Sequence, residues 1–296
     1  MSKRFAITGV AGYIAPRHLL AIKETDSELV AALDPHDAVG VLDAYFPKVD
    51  FFTETERFDR HLEKLKRSKN GIDYLSICSP NYLHDAHIRM ALRLGANAIC
   101  EKPLVLNPWN LDLLAEIEKE SGKRIFTVLQ LRLHPAIITL REKYKNTIER
   151  HQIKLTYITA RGNWYLYAWK GNVERSGGLA TNIGIHFFDM LIWIFGQVKS
   201  YKVLENNDKT TTGFLELEYA EVTWELSIDE NNLPKSIKDK NQKTYRNIEI
   251  DGQEIEFSDG FTNLHTTVYK NILLGKGFGI DDARASVELV HKLRKS

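Results

Sequence analysis

The sequence has little cysteine and no surplus of one charge. Cys78 and Cys100 are its only cysteines, and each lies in an apolar run, so neither a disulfide framework nor a cysteine-rich zinc site is expected. Forty Lys and Arg residues against 39 Asp and Glu residues leave a formal net charge of +1, which does not favour general binding to nucleic acid or anionic membranes. The N-terminus lacks a signal-peptide pattern, and no apolar run approaches the roughly 20 residues of a membrane span. These absences predict a cytoplasmic protein.

The apolar residues are arranged as a repeating pattern in the first part of the chain. With 296 residues, of which 43% are hydrophobic and 27% charged, the chain can form one large domain or two smaller ones. Short apolar runs alternate with amphipathic stretches up to about residue 130, as in successive βαβ units. This pattern predicts an α/β fold whose N-terminal domain, residues 1–125, is a Rossmann-type doubly wound parallel sheet.

The pattern changes in the second part. Alternating β-branched and aromatic runs follow closely on one another, which is typical of a mostly antiparallel sheet with one covered face. Asp-Gly pairs at 251 and 259 fit hairpin turns. Residues 126–280 are therefore predicted to form an α+β domain with a large open sheet, for binding substrate and for oligomerisation. The amphipathic segment 281–296 is predicted to be a closing helix that packs back on the first domain.

A glycine-rich turn follows the first predicted strand. FAIT leads into Gly9 and Gly12 in the pattern GxxGxxA, and Pro16 suits the first turn of a helix whose amides would face a pyrophosphate. Asp34 ends the second predicted strand, where a carboxylate binds a ribose diol and repels a 2′-phosphate. Asp34 also fits a turn before Pro35. Strand, glycines, helix and acid together favour NAD over a nucleotide-binding sheet without redox chemistry.

Two further polar groups follow predicted strands of this domain. Ser79 to Asn81 follows YLSIC, and Glu101 with Lys102 precedes Pro103 in CEKPL. Ligands of open α/β sheets bind at this edge. An ordinary strand-ending turn and a surface lysine explain the same residues. An ammonium at Lys102 could stabilise a developing alkoxide, with Glu101 orienting it.

The segment SGGLATNIGIHFFDML places polar residues on an apolar helix. Asn182 and His186 are one helical turn apart, and Asp189 or Met190 continues the same face. A lone histidine of this kind is more often a satisfied core residue than a catalyst. A metal site is a third alternative, but the segment has no HExxH-like pair, so we predict none.

Four motifs in this order resemble the Gfo/Idh/MocA family of NAD(P)-dependent sugar oxidoreductases: GVAGYIAPRH, SPN followed by His84, EKP, and GGxxxNxGxHxxD. The resemblance spans essentially the whole chain. Longer stretches, among them EKPLVLNPWNLD and RGNWYLYAWKGN, are similar to one branch, the UDP-N-acetyl-2-amino-2-deoxyglucuronate 3-dehydrogenases (WlbA/WbpB type) of surface-polysaccharide and O-antigen biosynthesis. The similarity to this branch implies NAD-dependent oxidation of the C3 hydroxyl of UDP-N-acetylglucosaminuronic acid, a homotetramer, and possible reoxidation of NADH by a 2-keto acid.

The resemblance also implies roles for individual residues. Lys102 and His186 match the family's catalytic pair, and Pro103 is expected to be cis. Asn182 stands where many relatives carry Asp. The residues implied at the cofactor are Gly9, Gly12, Tyr13, Ile14, Asp34, Ser79, Asn81, His84, Glu101, Lys102, Gln130 and Trp164, and those at the substrate are Asn182, Lys102, His186, Lys170 and Arg161, with Trp169 and Arg246 as looser candidates.

Two alternatives stay open at this stage. The chain could be a dehydrogenase of another sugar or of an inositol, which would not need to bind uridine diphosphate. It could also be a non-catalytic NAD-binding regulatory protein, because fold alone does not determine function.

Overall fold

The computed structural model describes residues 2–255 and 263–296 as two compact units. The first unit contains the described residues up to Gln130 and residues 263–283. The second runs from Leu131 to residue 255 and also contains Arg284–Ser296.

The first unit is built on a parallel sheet of six strands in the order β3-β2-β1-β4-β5-β6. All five strand pairs are parallel. This is the strand order of a dinucleotide-binding Rossmann fold, and it confirms the predicted doubly wound sheet. The strands are β1 (Arg4–Thr8), β2 (Glu28–Leu33), β3 (Asp50–Phe52), β4 (Tyr74–Ile77), β5 (Asn97–Cys100) and β6 (Ile125–Thr127).

Helices connect these strands and continue into the second unit. Gly122 ends the fifth helix in the left-handed conformation, with φ 62°, as its position after an amphipathic run predicts. The helices are α1 (Ala15–Glu24), α2 (Val41–Tyr45), α3 (Thr55–Arg67), α4 (His84–Arg93), α5 (Trp109–Ser121), α6 (Pro135–Tyr144), α7 (Trp164–Tyr167), α8 (Val173–Ser176), α9 (Ile185–Phe195), α10 (Lys235–Lys238), α11 (Leu264–Leu273) and α12 (Ile280–Lys295).

The second unit contains another six-stranded sheet, in the order β12-β11-β7-β10-β9-β8. Its strands are β7 (His151–Thr159), β8 (Val198–Asn206), β9 (Thr210–Leu217), β10 (Ala220–Ser227), β11 (Thr244–Ile250) and β12 (Gln253–Glu254). Among the described strands, β7 and β10 pair in parallel and the other pairs are antiparallel. Val222, Trp224 and Leu226 alternate along β10 and are buried, so one face of the sheet is covered, as the alternating sequence predicts.

Two Asp-Gly pairs were expected to be turns. Asp251 and Gly252 both have positive φ, 52° and 79°, and join β11 to β12. Positive φ at both central residues is what a type I′ hairpin turn requires. The pair at 259 lies outside the described residues.

The division into units differs from the predicted domains in two places. The change of unit falls between Gln130 and Leu131 rather than after residue 125, and Arg284–Ser296 groups with the second unit rather than the first. Leu293 and Arg294 line a cavity of the second unit. An amphipathic pattern identifies the apolar face of a helix, but it does not identify the element that covers that face.

The helical run Val173–Phe195 corrects the expectation that no segment is long and apolar enough to cross a membrane. By length and composition these 23 residues pass that test, but 72% of the most apolar window is buried inside the protein. Gly177 and Gly178, both with positive φ, also interrupt the run near its start. A buried, interrupted run is typical of a core helix.

Candidate active site

The turn between β1 and α1 brings the backbone of two loops into contact. Gly9 has φ +77°, and a Cβ atom there would lie 2.5 Å from backbone atoms of Cys78 and Ser79. Gly12 packs on the turn itself, where a Cβ would lie 3.0 Å from the Gly9 carbonyl oxygen. Helix α1 begins directly after this turn, with Pro16 in its first turn. The glycines therefore allow the turn to pack against the end of β4 and leave the N-terminus of α1 without side-chain capping.

Asp34 is buried at the end of β2 and holds the glycine turn. Its Oδ2 accepts a hydrogen bond from the Ala11 amide at 3.0 Å, and its Oδ1 accepts one from the His36 amide at 2.9 Å. The second contact is the local turn that the sequence also allowed. Since each carboxylate oxygen can accept two hydrogen bonds, Asp34 keeps acceptor capacity for a ribose diol.

Other features of the first unit fit a bound dinucleotide. Gln130 Oε1 and Thr8 Oγ1 are buried without a hydrogen-bond partner among the described residues. Buried polar atoms are rarely unsatisfied in a folded protein, so each suits a ligand group. Tyr13 is 85% exposed beside the glycine turn, and Ile14 is half-buried.

The SPN turn contains hydrogen bonds that the sequence did not reveal. Ser79 Oγ lies 2.9 Å from Nδ1 of His87, and Asn81 is buried. The ring nitrogens of His84 lie 2.7 Å from the Pro103 carbonyl oxygen and 2.9 Å from the Ser79 carbonyl oxygen. His84 was expected to lie at the cofactor, but the structure uses both of its nitrogens to join two loops of the protein.

Lys102 is half-buried between two buried residues, Glu101 and Pro103, and the Lys102–Pro103 peptide bond is cis. Glu101 was expected at the cofactor or orienting the lysine. Its Oε1 instead accepts from Nε2 of His18 at 2.9 Å and of His265 at 3.0 Å. Burial by itself raises the pKa of Glu101, but its interactions with His18 and His265 together, hydrogen bonds first, hold that pKa well below its usual value.

The histidines around Glu101 were missed by sequence reasoning. His18 and His265 are separated from Glu101 by 83 and 164 positions, so no local spacing could have identified them. The three residues are also a possible metal-binding set, with ligand atoms within 4.8 Å of one another. The distances from Nε2 of His18 and of His265 to Oε1 of Glu101, 2.9 and 3.0 Å, are those of direct hydrogen bonds.

In the second unit, His186 and Asn182 are half-buried on a helix whose other residues are mostly buried. The partial exposure of His186 does not fit a core histidine. Asn182 Nδ2 donates to the hydroxyl of Tyr165, and Asn182 belongs to a π-helix, Ala180–Gly184, that leads into α9. Single π-turns inside helices are frequent at functional sites. The π-helix therefore changes the α-helical spacing predicted for this segment, but the side chains of Asn182 and His186 both remain partly exposed.

Asp189 is fully engaged by another side chain. Arg132 donates from Nε and Nη2 to its two carboxylate oxygens at 2.9 and 2.8 Å, and both residues are buried. Arg132 also lies over the ring of Trp193, 5.6 Å from its centroid. Asp189 is thus part of a buried ion pair and not a ligand held open for a metal.

Lys170 lines a cavity of about 150 Å³ within the second unit, together with Tyr165, Gly178 and Arg294. The Lys170 ammonium lies 5.4 Å from the ring centroid of Trp164 and 5.6 Å from that of Trp169. Burial, and then the positive charge of Arg161, lower the pKa of Lys170. The cavity is lined by two cations, Lys170 and Arg294, and one carboxylate, Asp208, so its charged groups leave one positive charge in excess.

Arg161, expected at the substrate, and Arg246, a looser candidate, occupy different surroundings. The Arg161 side chain is exposed. Arg246 lies over the rings of Tyr157 and Phe187, at 5.6 and 5.9 Å from their centroids. Arg246 therefore contributes to packing on the second sheet.

Two family models match the chain, the NAD-binding Rossmann fold of this oxidoreductase family over residues 3–129 and its C-terminal alpha/beta domain over residues 148–227. The chain belongs to the Gfo/Idh/MocA oxidoreductase family. The first unit is accordingly its NAD-binding domain, and Gly9 and Asp34 lie in the matched region, which ends one residue before Gln130.

Solved members of the family are similar over nearly the whole chain. The WlbA (WbpB) dehydrogenase from Thermus thermophilus, crystallised with NAD and alpha-ketoglutarate, is 52% identical with a TM-score of 0.96, and the match covers 99% of this chain and 94% of that chain. The same enzyme crystallised with NAD and UDP-GlcNAcA matches with 51% identity, a TM-score of 0.95 and the same coverage.

Curated Gfo/Idh/MocA relatives match more distantly. D-glucoside 3-dehydrogenase from Escherichia coli (strain K12) is 30% identical over 127 residues, which are 42% of this chain and 36% of the relative. Inositol 2-dehydrogenase from Rhizobium meliloti (strain 1021) is 25% identical over 200 residues, 67% of this chain and 56% of the relative. The chain thus spans about half or less of the length of these relatives.

Proposed function

We propose that the protein is an NAD-dependent dehydrogenase that oxidises the C3 hydroxyl of UDP-N-acetylglucosaminuronic acid to the 3-keto nucleotide sugar. The observation that carries this proposal is the 51% identity, over 99% of the chain, to an enzyme crystallised with NAD and UDP-GlcNAcA. The glycine turn, the buried Asp34 and the partly exposed Lys102 and His186 supply the groups that such a reaction needs.

Lys102 and His186 are proposed to be the catalytic pair. Bound NAD would accept the hydride that leaves C3. His186 takes the proton of the C3 hydroxyl, because an imidazole titrates near neutral pH and can act as a general base there. The Lys102 ammonium donates a hydrogen bond to the same oxygen and stabilises the negative charge that develops on it. The products are the 3-keto sugar, NADH and one proton on the base.

Residues that hold the substrate are proposed in the second unit. The Asn182 amide would orient the sugar but cannot act as a base. Lys170 lines the cavity with one positive charge in excess, and Arg161 is exposed close enough to affect the pKa of Lys170. These two cations suit the carboxylate or the diphosphate of a UDP-uronate. Trp164, proposed to contact the cofactor, is 54% exposed.

The proposal also includes the cell compartment, the pathway, the oligomeric state and the way NADH is reoxidised. The protein would act in the cytoplasm, in the biosynthesis of a surface polysaccharide such as O-antigen, as a tetramer, with a 2-keto acid reoxidising NADH. Exposed Leu204 and Phe214 on neighbouring strands β8 and β9 support assembly through the second sheet. Alpha-ketoglutarate bound to the Thermus thermophilus enzyme supports the keto acid.

The test is incubation of the purified protein with NAD and UDP-N-acetylglucosaminuronic acid, with mass spectrometry of the sugar and NADH absorbance as readouts. We expect the sugar to lose two hydrogen atoms. A parallel panel contains UDP-N-acetylglucosamine, free hexoses and inositols. Turnover of a panel member alone would replace the substrate, and tight NAD binding without turnover of any compound would favour a regulatory protein.

A further inference from the structure

Lys102 lies between two residues that buried histidines hold in place. On one side, Glu101 receives hydrogen bonds from His18 and His265; on the other, Nδ1 of His84 lies 2.7 Å from the Pro103 carbonyl oxygen. All three histidines are buried in the first unit, with exposures of 0%, 2% and 1%. Lys102 itself is half-buried, so its short segment is fixed at both ends while the lysine stays accessible.

The hydrogen bonds on the Glu101 side can be assigned a direction. An ionised carboxylate only accepts hydrogen bonds, so His18 and His265 must each donate from Nε2. Burial lowers the pKa of His18, and the hydrogen bond to Glu101 only partly opposes it. A neutral His18 that donates from Nε2 has an acceptor at Nδ1, which lies 2.7 Å from the Tyr269 hydroxyl.

The network continues from His18 through Tyr269 to Ser76. Because Tyr269 donates to His18, its oxygen is free to accept from Ser76 Oγ, 2.6 Å away. The second Glu101 oxygen, Oε2, accepts from the backbone amide of Lys102 at 3.2 Å. Glu101 is thus joined directly to the backbone of the lysine, and buried hydrogen-bond networks make local structure rigid.

The hydrogen bonds on the Pro103 side come from another helix. His84 is the first residue of α4, and it joins the Pro103 carbonyl to the Ser79 carbonyl. A neutral imidazole can donate to one of these oxygens and a protonated imidazole to both. Together, α1, α4, α11 and β4 therefore supply the groups that hold the residues on either side of Lys102.

We propose that His18, His265 and His84 are positioning residues for Lys102. They act through Glu101 and Pro103, and they keep the lysine backbone in the one arrangement from which its ammonium reaches the substrate hydroxyl. This inference rests on the proposed function for the catalytic consequence, but the rigidity of the segment is a property of the protein alone. A misplacement of about 1 Å at a catalytic group costs up to about 100-fold in rate, so the network matters even without touching the substrate.

The experiment compares apolar and amide replacements in the full-length protein. His18→Leu and His265→Leu remove the donors to Glu101, and His84→Leu removes the contact to Pro103. His18→Gln and His265→Gln keep an amide that donates to Glu101, and His84→Asn keeps a donor for Pro103. His61→Leu is the matched control, because His61 lies on α3 and pairs with Asp50 instead.

Two readouts separate the inference from the proposed function. Hydrogen exchange of the peptide that spans residues 99–106 requires no turnover, and we expect the Leu variants to exchange about 10-fold faster there with unchanged protection of β1. In turnover, we expect kcat to fall by about 10- to 100-fold with little change in KM, and the Gln and Asn variants to recover most of it.

The outcomes are distinct. Faster exchange without activity on any substrate would support the positioning role while the proposed function fails. Unchanged exchange and unchanged kcat in the Leu variants would overturn the positioning role while the reaction stands. Stoichiometric transition metal in the purified protein, lost in the His18 and His265 variants, would also overturn it, since the cluster would then be a metal site.

Discussion

Arg132 donates two parallel hydrogen bonds to Asp189, at 2.9 and 2.8 Å. Asp189 lies on α9, about one helical turn after His186. The side chains of Arg132 and Asp189 are almost fully buried. A buried ion pair is costly to break because the remaining charge has no water to compensate it. The pair therefore fixes the helix that carries the proposed base.

Removing one member of this pair should destabilise the protein strongly. We expect Asp189→Asn to lower the free energy of unfolding by about 3–5 kcal/mol, as measured by urea denaturation. The double variant Arg132→Met with Asp189→Leu, which leaves no unpaired charge, should regain much of that loss. A double variant less stable than Asp189→Asn would contradict this account.

Replacing the proposed base should affect turnover and not cofactor binding. We expect His186→Asn to reduce kcat by about 10² to 10⁴ because general-base catalysis is lost. NAD affinity, measured by fluorescence titration, should stay nearly unchanged. His61→Asn on α3 serves as a control, and full activity of His186→Asn would refute the assignment.

Asp34 should determine the preference for NAD over NADP. Asp34→Asn removes the charge that accepts from a ribose diol and repels a 2′-phosphate. We expect NAD to bind about 10-fold more weakly, since hydrogen bonds to a charged group contribute about 1.5–3 kcal/mol, and the discrimination against NADP to shrink. Dissociation constants for both cofactors measure this.

The control for that experiment is Asp37→Asn, an exposed carboxylate just beyond the same turn. It should leave both dissociation constants in place. Equal weakening by Asp37→Asn and Asp34→Asn would show that general charge, and not the position of Asp34, is responsible.

Asn182 should respond to charge if it contacts the substrate. Asn182→Asp replaces the amide that donates to Tyr165 with a carboxylate, which repels an anionic nucleotide sugar. We expect KM for the sugar to rise by about 10-fold, or about 1.4 kcal/mol, while NAD affinity is kept. Tyr165→Phe, which removes only the partner hydroxyl, should change KM much less, and equal effects would indicate a structural amide.

His87 should make stability depend on pH. Burial, with a smaller effect of His84, lowers the pKa of His87 from 6.5 to about 4. The unfolded chain therefore binds a proton between pH 6.5 and 4 that the folded protein does not, so stability is kept above pH 6.5 and lost as the pH falls. The expected loss is about 3 kcal/mol across this window.

Urea denaturation of the wild type and of His87→Asn, at several pH values, isolates this contribution because other titrating groups are common to both. The stability difference between the two proteins should shift in favour of His87→Asn as the pH falls. A constant difference from pH 7 to pH 4 would mean that His87 does not titrate in this way.

Much of the fold could be predicted from the sequence because its signals are local. Continuous apolar runs predicted the parallel sheet, alternation predicted the second sheet, and Gly122 and Asp251 marked turns that the structure contains. Gly9, Gly12 and Asp34 could also be predicted, because their positions relative to the neighbouring strands and helix can be read locally from the sequence.

The surroundings of the site could not be predicted in this way. His18, His265 and Tyr269 reach Glu101 only after α1 and α11 have packed in the same unit. Periodicity placed Asp189 on the face of His186, but it gave no sign that Arg132 engages it. It also did not reveal the π-turn at Asn182.

The sequence alone determined which stretches form strands and helices and where the glycine turn lies, because propensity, periodicity and motif spacing depend on neighbours in the chain. Its resemblance to a known family pointed to Lys102 and His186 as the catalytic candidates. Only the tertiary structure decided what holds those candidates: the histidines that enclose the Lys102 segment, the Tyr165 hydroxyl at Asn182 and the arginine at Asp189. Hydrogen bonds between distant residues form only where packing brings them within about 3 Å, and no spacing along the chain encodes that distance.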